Sequence, residues 1–143
     1  MNEASEAPYA ALSVLFWAGI LVAARAGSER LAEPTSAVDL LALGLASAKI
    51  GSVVAEDRVT VFLRRPFAGG PAAVQPRGEG AVRAVGELVT CAHCVALWAA
   101  GALAVAQLRR PRETRLVARV FAVYAVAEAA RPFLRRTADW TDV

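Results

Sequence analysis

The sequence predicts an all-α integral membrane bundle of about four transmembrane helices, with residues 1–143 forming a single membrane domain, and three observations predict it. Hydrophobic residues make up 57% of the 143 positions and the mean hydropathy is +0.43, above the ~45–50% apolar share of an ordinary soluble domain. The apolar residues fall in runs of about spanning length. The 16 cationic and 13 acidic residues gather at the ends of these runs, whereas an amphipathic soluble helix needs charges every three or four positions. Alanine supplies much of the apolar share, so the placement of charge weighs more than composition.

Of the 16 cations, 15 are arginine and one is Lys49. Arginines that flank apolar segments anchor them among lipid headgroups. No basic stripe is interleaved with aromatics, which argues against nucleic acid as a partner. The partner expected is the lipid bilayer, with a second copy of the chain or another membrane protein beside it. The two cysteines do not make a disulfide framework. Met1-Asn2-Glu3-Ala4-Ser5-Glu6 is acidic where a secretory signal is positive, so the first apolar run is expected to remain as an anchor.

Residues 1–8 read as a short acidic tail. The first span covers about 9–26, with Ser13 its one polar residue before Arg25 and with Tyr9 where interfacial aromatics sit. Its 18 residues give roughly 27 Å of helix. Residues 27–34 form a charged turn. Ser36 or Thr35 then offers an N-cap with Asp39 three residues on, resembling a capping box, and opens a second span over about 37–60. This span carries Lys49 mid-way and Glu56-Asp57-Arg58 near its end. A lysine at membrane depth needs protein or water around it. Glu56 or Glu87 is the partner the sequence offers.

Residues 61–80 read as a loop. Val61-Phe62-Leu63-Arg64-Arg65-Pro66-Phe67 makes an interfacial exit with its apolar residues dipping in and its arginines at the surface. Its glycines have no phosphate-loop spacing. The third span lies within a helix over about 81–108 that Arg109-Arg110-Pro111-Arg112 stops. The fourth, over about 114–130, is short between Arg119 and Glu128, and Pro132 ends it. Cations divide almost evenly between the two sides, so the positive-inside rule gives no orientation.

The stretch with most chemistry runs from Gly86 to Trp98 and contains both cysteines and the sole histidine. On a continuous helix Glu87, Cys91, Cys94 and Trp98 fall at roughly 0°, 40°, −20° and 20°, with His93 about 120° away. Three readings fit. A dithiol reading uses Cys91 and Cys94, but thiols a turn and a half inside a helix lack the N-terminal amides that lower their pKa, and Glu87 would raise it. A metal reading takes Cys91 and Cys94 with His93 or Glu87, yet the cysteine pair gives only two of the three or four ligands zinc needs and His93 points away on a regular helix. A homodimer would supply four thiolates. The third reading makes both cysteines small packing residues, with Trp98 filling the bundle and Glu87 paired with Lys49, Arg58 or Arg64.

The polar second helix ending in Glu56-Asp57-Arg58, the run Arg64-Arg65-Pro66-Phe67, the Arg77-Gly78 loop, and Gly86-Glu87-Leu88 leading to Cys91, Cys94 and Trp98 together resemble an uncharacterised bacterial membrane-protein family, number 1360 among the domains of unknown function. The family tends to carry Cys-Pro-x-Cys where this chain has Ala92-His93. The resemblance implies a small multi-pass protein of the bacterial inner membrane and supplies no reaction.

The sequence favours a non-enzymatic scaffold, accessory subunit or partner-binding protein that needs no cofactor. The alternative is a redox or metal-binding protein dependent on the two cysteines. A further alternative is a small proton or solute transporter acting as an oligomer, with Asp39, Lys49, Glu56, Glu87 and Glu128 along its path. With one histidine and neither a Gly-x-Ser-x-Gly elbow nor a His-Glu-x-x-His motif, no hydrolase is indicated.

Overall fold

The computed structural model describes residues 3–26 and 35–138. Its helices are α1 (Glu3–Ala26), α2 (Ala37–Glu56), α3 (Val61–Arg64), α4 (Gly80–Thr90), α5 (Ala92–Arg109) and α6 (Pro111–Ala138), with a 3-10 turn over Arg58–Thr60 before α3. Two short antiparallel strands, β1 (Ala68–Gly69) and β2 (Gln75–Pro76), pair Ala68 with Pro76 and Gly69 with Gln75. The charged turn 27–34 and the end of the C-terminal tail lie outside the described residues.

The all-α class stands. Among the described residues three helical segments are long and apolar enough to cross a membrane: Glu6–Ala26, Ala37–Glu56 and Ala92–Arg109. The fourth long helix, α6, has the length but carries more charge. The helices are inside-out relative to a soluble bundle. The buried apolar residues are mainly alanines, such as Ala46, Ala55, Ala84 and Ala118, while Leu15, Trp17, Val22, Leu41, Val120 and Val123 are exposed. Water would penalise so large an apolar exterior, and lipid does not.

Small residues let the backbones approach. α2 packs most extensively against α5 and α6. A Cβ on Gly51 would lie 2.4 Å from the Ala92 carbonyl oxygen and 2.9 Å from the Ala96 Cβ, so only glycine fits there. Ala46, Leu103 and Ala118 form the small core between these helices, with Ala42, Leu43, Ile50 and Phe121 around it.

Five boundaries differ from the sequence expectation. α1 starts at Glu3 and runs through Pro8, because a proline near a helix start removes one hydrogen bond without ending the helix. α2 stops at Glu56, short of residue 60, because Asp57 is extended (φ −72°, ψ 148°) and the freed carbonyls of the last turn find other donors. The segment 61–80 is not simply loop, since it holds α3 and the β1–β2 hairpin. The third helix breaks at Cys91, and α6 continues past Pro132 to Ala138.

The donors at the end of α2 come chiefly from Arg64. It is fully buried rather than at the surface. Its guanidinium donates to the carbonyls of Val54, Asp57 (3.1 Å), Ala72 (3.1 Å) and Ala73 (3.3 Å) and to the Thr60 hydroxyl (2.9 Å). The Thr60 hydroxyl directs its one proton toward the Val53, Val54 and Asp57 carbonyls, all within hydrogen-bond reach. The carbonyl end of a helix carries partial negative charge, so a cation without a carboxylate is satisfied there. Ala73 has a positive φ of 48°, a conformation unfavourable for alanine, and the bond from Arg64 Nε to its carbonyl helps hold it.

Arg64→Ala is expected to lower stability by about 3 kcal/mol or more, because it strands several buried carbonyls at once. Arg64→Lys keeps the charge but cannot reproduce the planar fork, so it should melt between the two. Thermal melting in detergent measures this, and an unchanged midpoint for Arg64→Ala would refute the assignment.

Candidate functional site

The break at Cys91 defines the site. The α4 helix ends with Thr90, whose hydroxyl donates to the Gly86 carbonyl at 2.8 Å. Cys91 is extended (φ −102°, ψ 107°) and serves as N-cap of α5. Its Sγ accepts the backbone N–H of Cys94 at 3.3 Å, and its carbonyl accepts from the Val95 N–H at 3.0 Å. The break falls beside Ala92, whose carbonyl approaches Gly51 of α2 too closely for any side chain there.

Both cysteines are free, Cys91 half-buried and Cys94 exposed. Cys91 lies just ahead of the apolar segment of α5. The Cys94 thiol, followed by the Cys94 amide, hydrogen-bonds to its sulfur and holds the Cys91 pKa below the ordinary cysteine range. The two thiols occupy the N-cap and third positions of a helix, where backbone amides point at an anionic sulfur.

Glu87, Cys91, Cys94 and Trp98 line one groove of about 470 Å³ between α1, α4 and α5, together with Tyr9, Phe16 and Trp17. The Tyr9 hydroxyl donates to Glu87 Oε2 at 2.6 Å, and Arg83 Nε donates to Glu87 Oε1 at 3.0 Å. These two bonds, Tyr9 first, hold the Glu87 carboxyl below its ordinary pKa. The partners foreseen for Glu87 were Lys49, Arg58 and Arg64. It is bound by Tyr9 and Arg83 instead, because α1 lies along the seam where α4 meets α5. Trp98 stacks edge-on against Phe16, with ring centroids 5.2 Å apart.

The remaining candidate residues lie elsewhere. Lys49 is buried and donates to Glu128 Oε2, with its ammonium 4.4 Å above the Tyr124 ring. The partner is thus on α6 and is neither Glu56 nor Glu87, because Lys49 faces α6 across the helix pair. Asp39 pairs with Arg115 at 3.4 Å. Glu56, Asp57 and Arg58 stand at the end of α2, with Asp57 supplying a carbonyl to Arg64. Asp39, Glu87 and Glu128 of the transport reading are therefore each committed to a separate partner, and Glu56 is exposed at the end of α2. His93 is exposed. Among the described residues no three His, Cys, Asp or Glu side chains converge as metal ligands, so Cys91, Cys94 and His93 do not form such a group.

Tyr9 is the groove residue that sequence reasoning placed only as an interfacial anchor. A tyrosine at the head of an apolar helix signals an interface, but its acidic partner is 78 residues away along the chain.

The family model described as "Protein of unknown function (DUF1360)" matches residues 42–134. The chain belongs to this family. No curated protein and no solved structure matches it. The match to DUF1360 runs from the middle of α2 to near the end of α6 and includes Glu87, Cys91, Cys94 and Trp98, but not Tyr9 or the rest of α1.

Tyr9→Phe should raise the Glu87 pKa toward the ordinary glutamate value of about 4.3. Because the folded-state pKa is lowered, the contribution of this contact is present above that ordinary value and is lost as pH falls through the lower folded-state value. The Glu87 carboxyl carbon shift, titrated in micelles, reads both effects. Identical titrations in wild type and Tyr9→Phe would count against the contact.

Proposed function

We propose that this DUF1360 member is a multi-pass protein of the bacterial inner membrane that acts through the Cys91–Cys94 dithiol. The observation that carries this reading is the position of Cys91 at the N-cap of α5, with its sulfur accepting the Cys94 amide and a free thiol one helical turn away. The two objections raised by a continuous helix are thereby removed. The thiols sit at a helix N-terminus, and Glu87 is held by Tyr9 and Arg83.

The chemistry is thiol–disulfide exchange with a protein disulfide. The Cys91 thiolate attacks one sulfur of the partner. A mixed disulfide forms, the partner's S–S bond breaks, and the departing sulfur takes a proton. The Cys94 thiol then loses its proton and attacks Cys91, closing an intramolecular disulfide and releasing the partner as a dithiol. Two electrons pass to the partner, and the reverse sequence returns them. The groove beside the thiols, walled by Phe16, Trp17 and Trp98, is shaped for an apolar segment of that partner.

Three apolar helices support the membrane assignment. The outward Leu116, Val120 and Val123 of α6 support a fourth crossing, with Lys49 neutralising Glu128. A second reading, the scaffold or partner-binding protein, is favoured by how fully the buried Arg64 and Lys49 are satisfied internally. In that case the cysteines have no chemistry.

Thiol alkylation in the native membrane, read as intact mass, separates the readings. The dithiol reading expects a population whose two thiols label together only after reductant. Cys94→Ser is expected to accumulate a mixed disulfide through Cys91. Labelling only after unfolding, with no adduct in Cys94→Ser, would return the protein to the scaffold reading, and labelling only after chelation would indicate a bound metal.

A further inference from the structure

We propose that the cleft between α1, α5 and the start of α6 binds one acidic phospholipid, with an acyl chain along the cleft and the phosphate at Arg109 and Arg110. This site adjoins the dithiol groove, sharing Phe16 and Trp98 with it, and does not depend on the chemistry of the thiols.

The cleft has a volume of about 710 Å³. Its walls are apolar: Leu15, Phe16 and Ile20 of α1 face Trp98, Leu103 and Val105 of α5. Its floor is closed where Gly101 meets Phe16, since a Cβ on Gly101 would lie 2.8 Å from the Phe16 ring. Higher up it is open, because a Cβ on Gly19, another lining residue, would meet nothing within 4 Å. Arg109 and Arg110, both exposed, stand at the mouth with Glu113. These three groups sum to one positive charge.

Depth and charge together identify the occupant. Trp98 and Arg109 are eleven residues apart on α5, about 16 Å along the helix. One leaflet of the hydrocarbon core is roughly 15 Å deep, half of the whole core. The cleft therefore runs from the middle of the bilayer to the headgroup level, and its charged end lies where a phosphate lies. Arginine presents a planar fork suited to phosphate oxygens. A zwitterionic lipid would fill the same apolar walls but bring a cationic group to a mouth that is already positive.

The full chain would be reconstituted into nanodiscs of equal phosphatidylglycerol and phosphatidylcholine, extracted in mild detergent and weighed by native mass spectrometry. The expected result is one retained lipid, enriched in phosphatidylglycerol by about fivefold for each arginine that contributes. The double variant Arg109→Gln/Arg110→Gln should keep a lipid but lose the headgroup preference. Gly19→Leu, whose Cβ meets nothing within 4 Å, should lose lipid of both kinds, as should Ala102→Leu, at an exposed lining position. Helicity measured by circular dichroism checks that each variant is folded. Equal retention of the two lipids by wild type would overturn the proposal. So would undiminished retention by both folded groove variants, or a lipid-free dimer.

Discussion

The buried guanidinium of Arg64 is the contact on which the arrangement around the dithiol depends. A helix of apolar residues that ends inside the protein leaves its last carbonyls without donors, and α2 ends that way at Glu56. Arg64 and Thr60 supply the donors, which folds the chain back sharply after Asp57. The same guanidinium reaches the Ala72 and Ala73 carbonyls, and so closes the β1–β2 hairpin over the helix end. The hairpin then positions α4, because Gly86 lies so close to Phe67 that a Cβ would come within 2.6 Å of its carbonyl oxygen. With α4 held against the hairpin and α5 against Gly51 of α2, the helix does not run through from one to the other. The residue between them leaves the helix, and that residue is Cys91.

This sequence of constraints is compatible with a membrane protein because close packing is reserved for small residues. Where lipid surrounds a bundle, burying a leucine between helices gains little over leaving it in the bilayer, and close backbone approach contributes more. Gly51, Ala46, Ala55 and Ala118 occupy the contacts, and the large side chains point away. The polar groups follow the same logic. Lys49 is almost enclosed, so it requires Glu128 and the Tyr124 ring. Glu128 is itself partly exposed, and the pair joins α2 to α6 beside the small apolar core they share.

The spans of α1 and α2 were legible because length and hydropathy suffice to find them, and the Ser36 cap was legible from its serine-to-aspartate spacing, which the bond from the Asp39 N–H to Ser36 Oγ realises. The stripe of Glu87, Cys91, Cys94 and Trp98 was legible as a set, and these four residues do line one groove. The break inside that stripe was not. Thr90, Cys91 and Ala92 carry no helix-stopping signal, and the break comes from Gly51 and Gly86, which are distant or unremarkable in sequence. Arg64 was misread because an arginine beside a proline and two phenylalanines has the pattern of an interfacial anchor, and nothing local reveals that carbonyls from residues 54 to 73 surround it. The stop at Pro132 failed because a proline lacks only its own N–H and disfavours the preceding turn, which a long helix near its end can tolerate.

α1 links the two spaces of the structure. It is the least buried of the apolar helices, and what holds it is the Tyr9–Glu87 bond at one end and Phe16 against Trp98 and Gly101 in the middle. Phe16 and Trp98 line both the dithiol groove and the cleft that ends at Arg109 and Arg110. The aromatic pair is therefore a shared partition. A molecule seated on one side of it bears on the same two rings that border the other, so α1 cannot shift to admit a larger occupant beside the thiols without altering the cleft behind it.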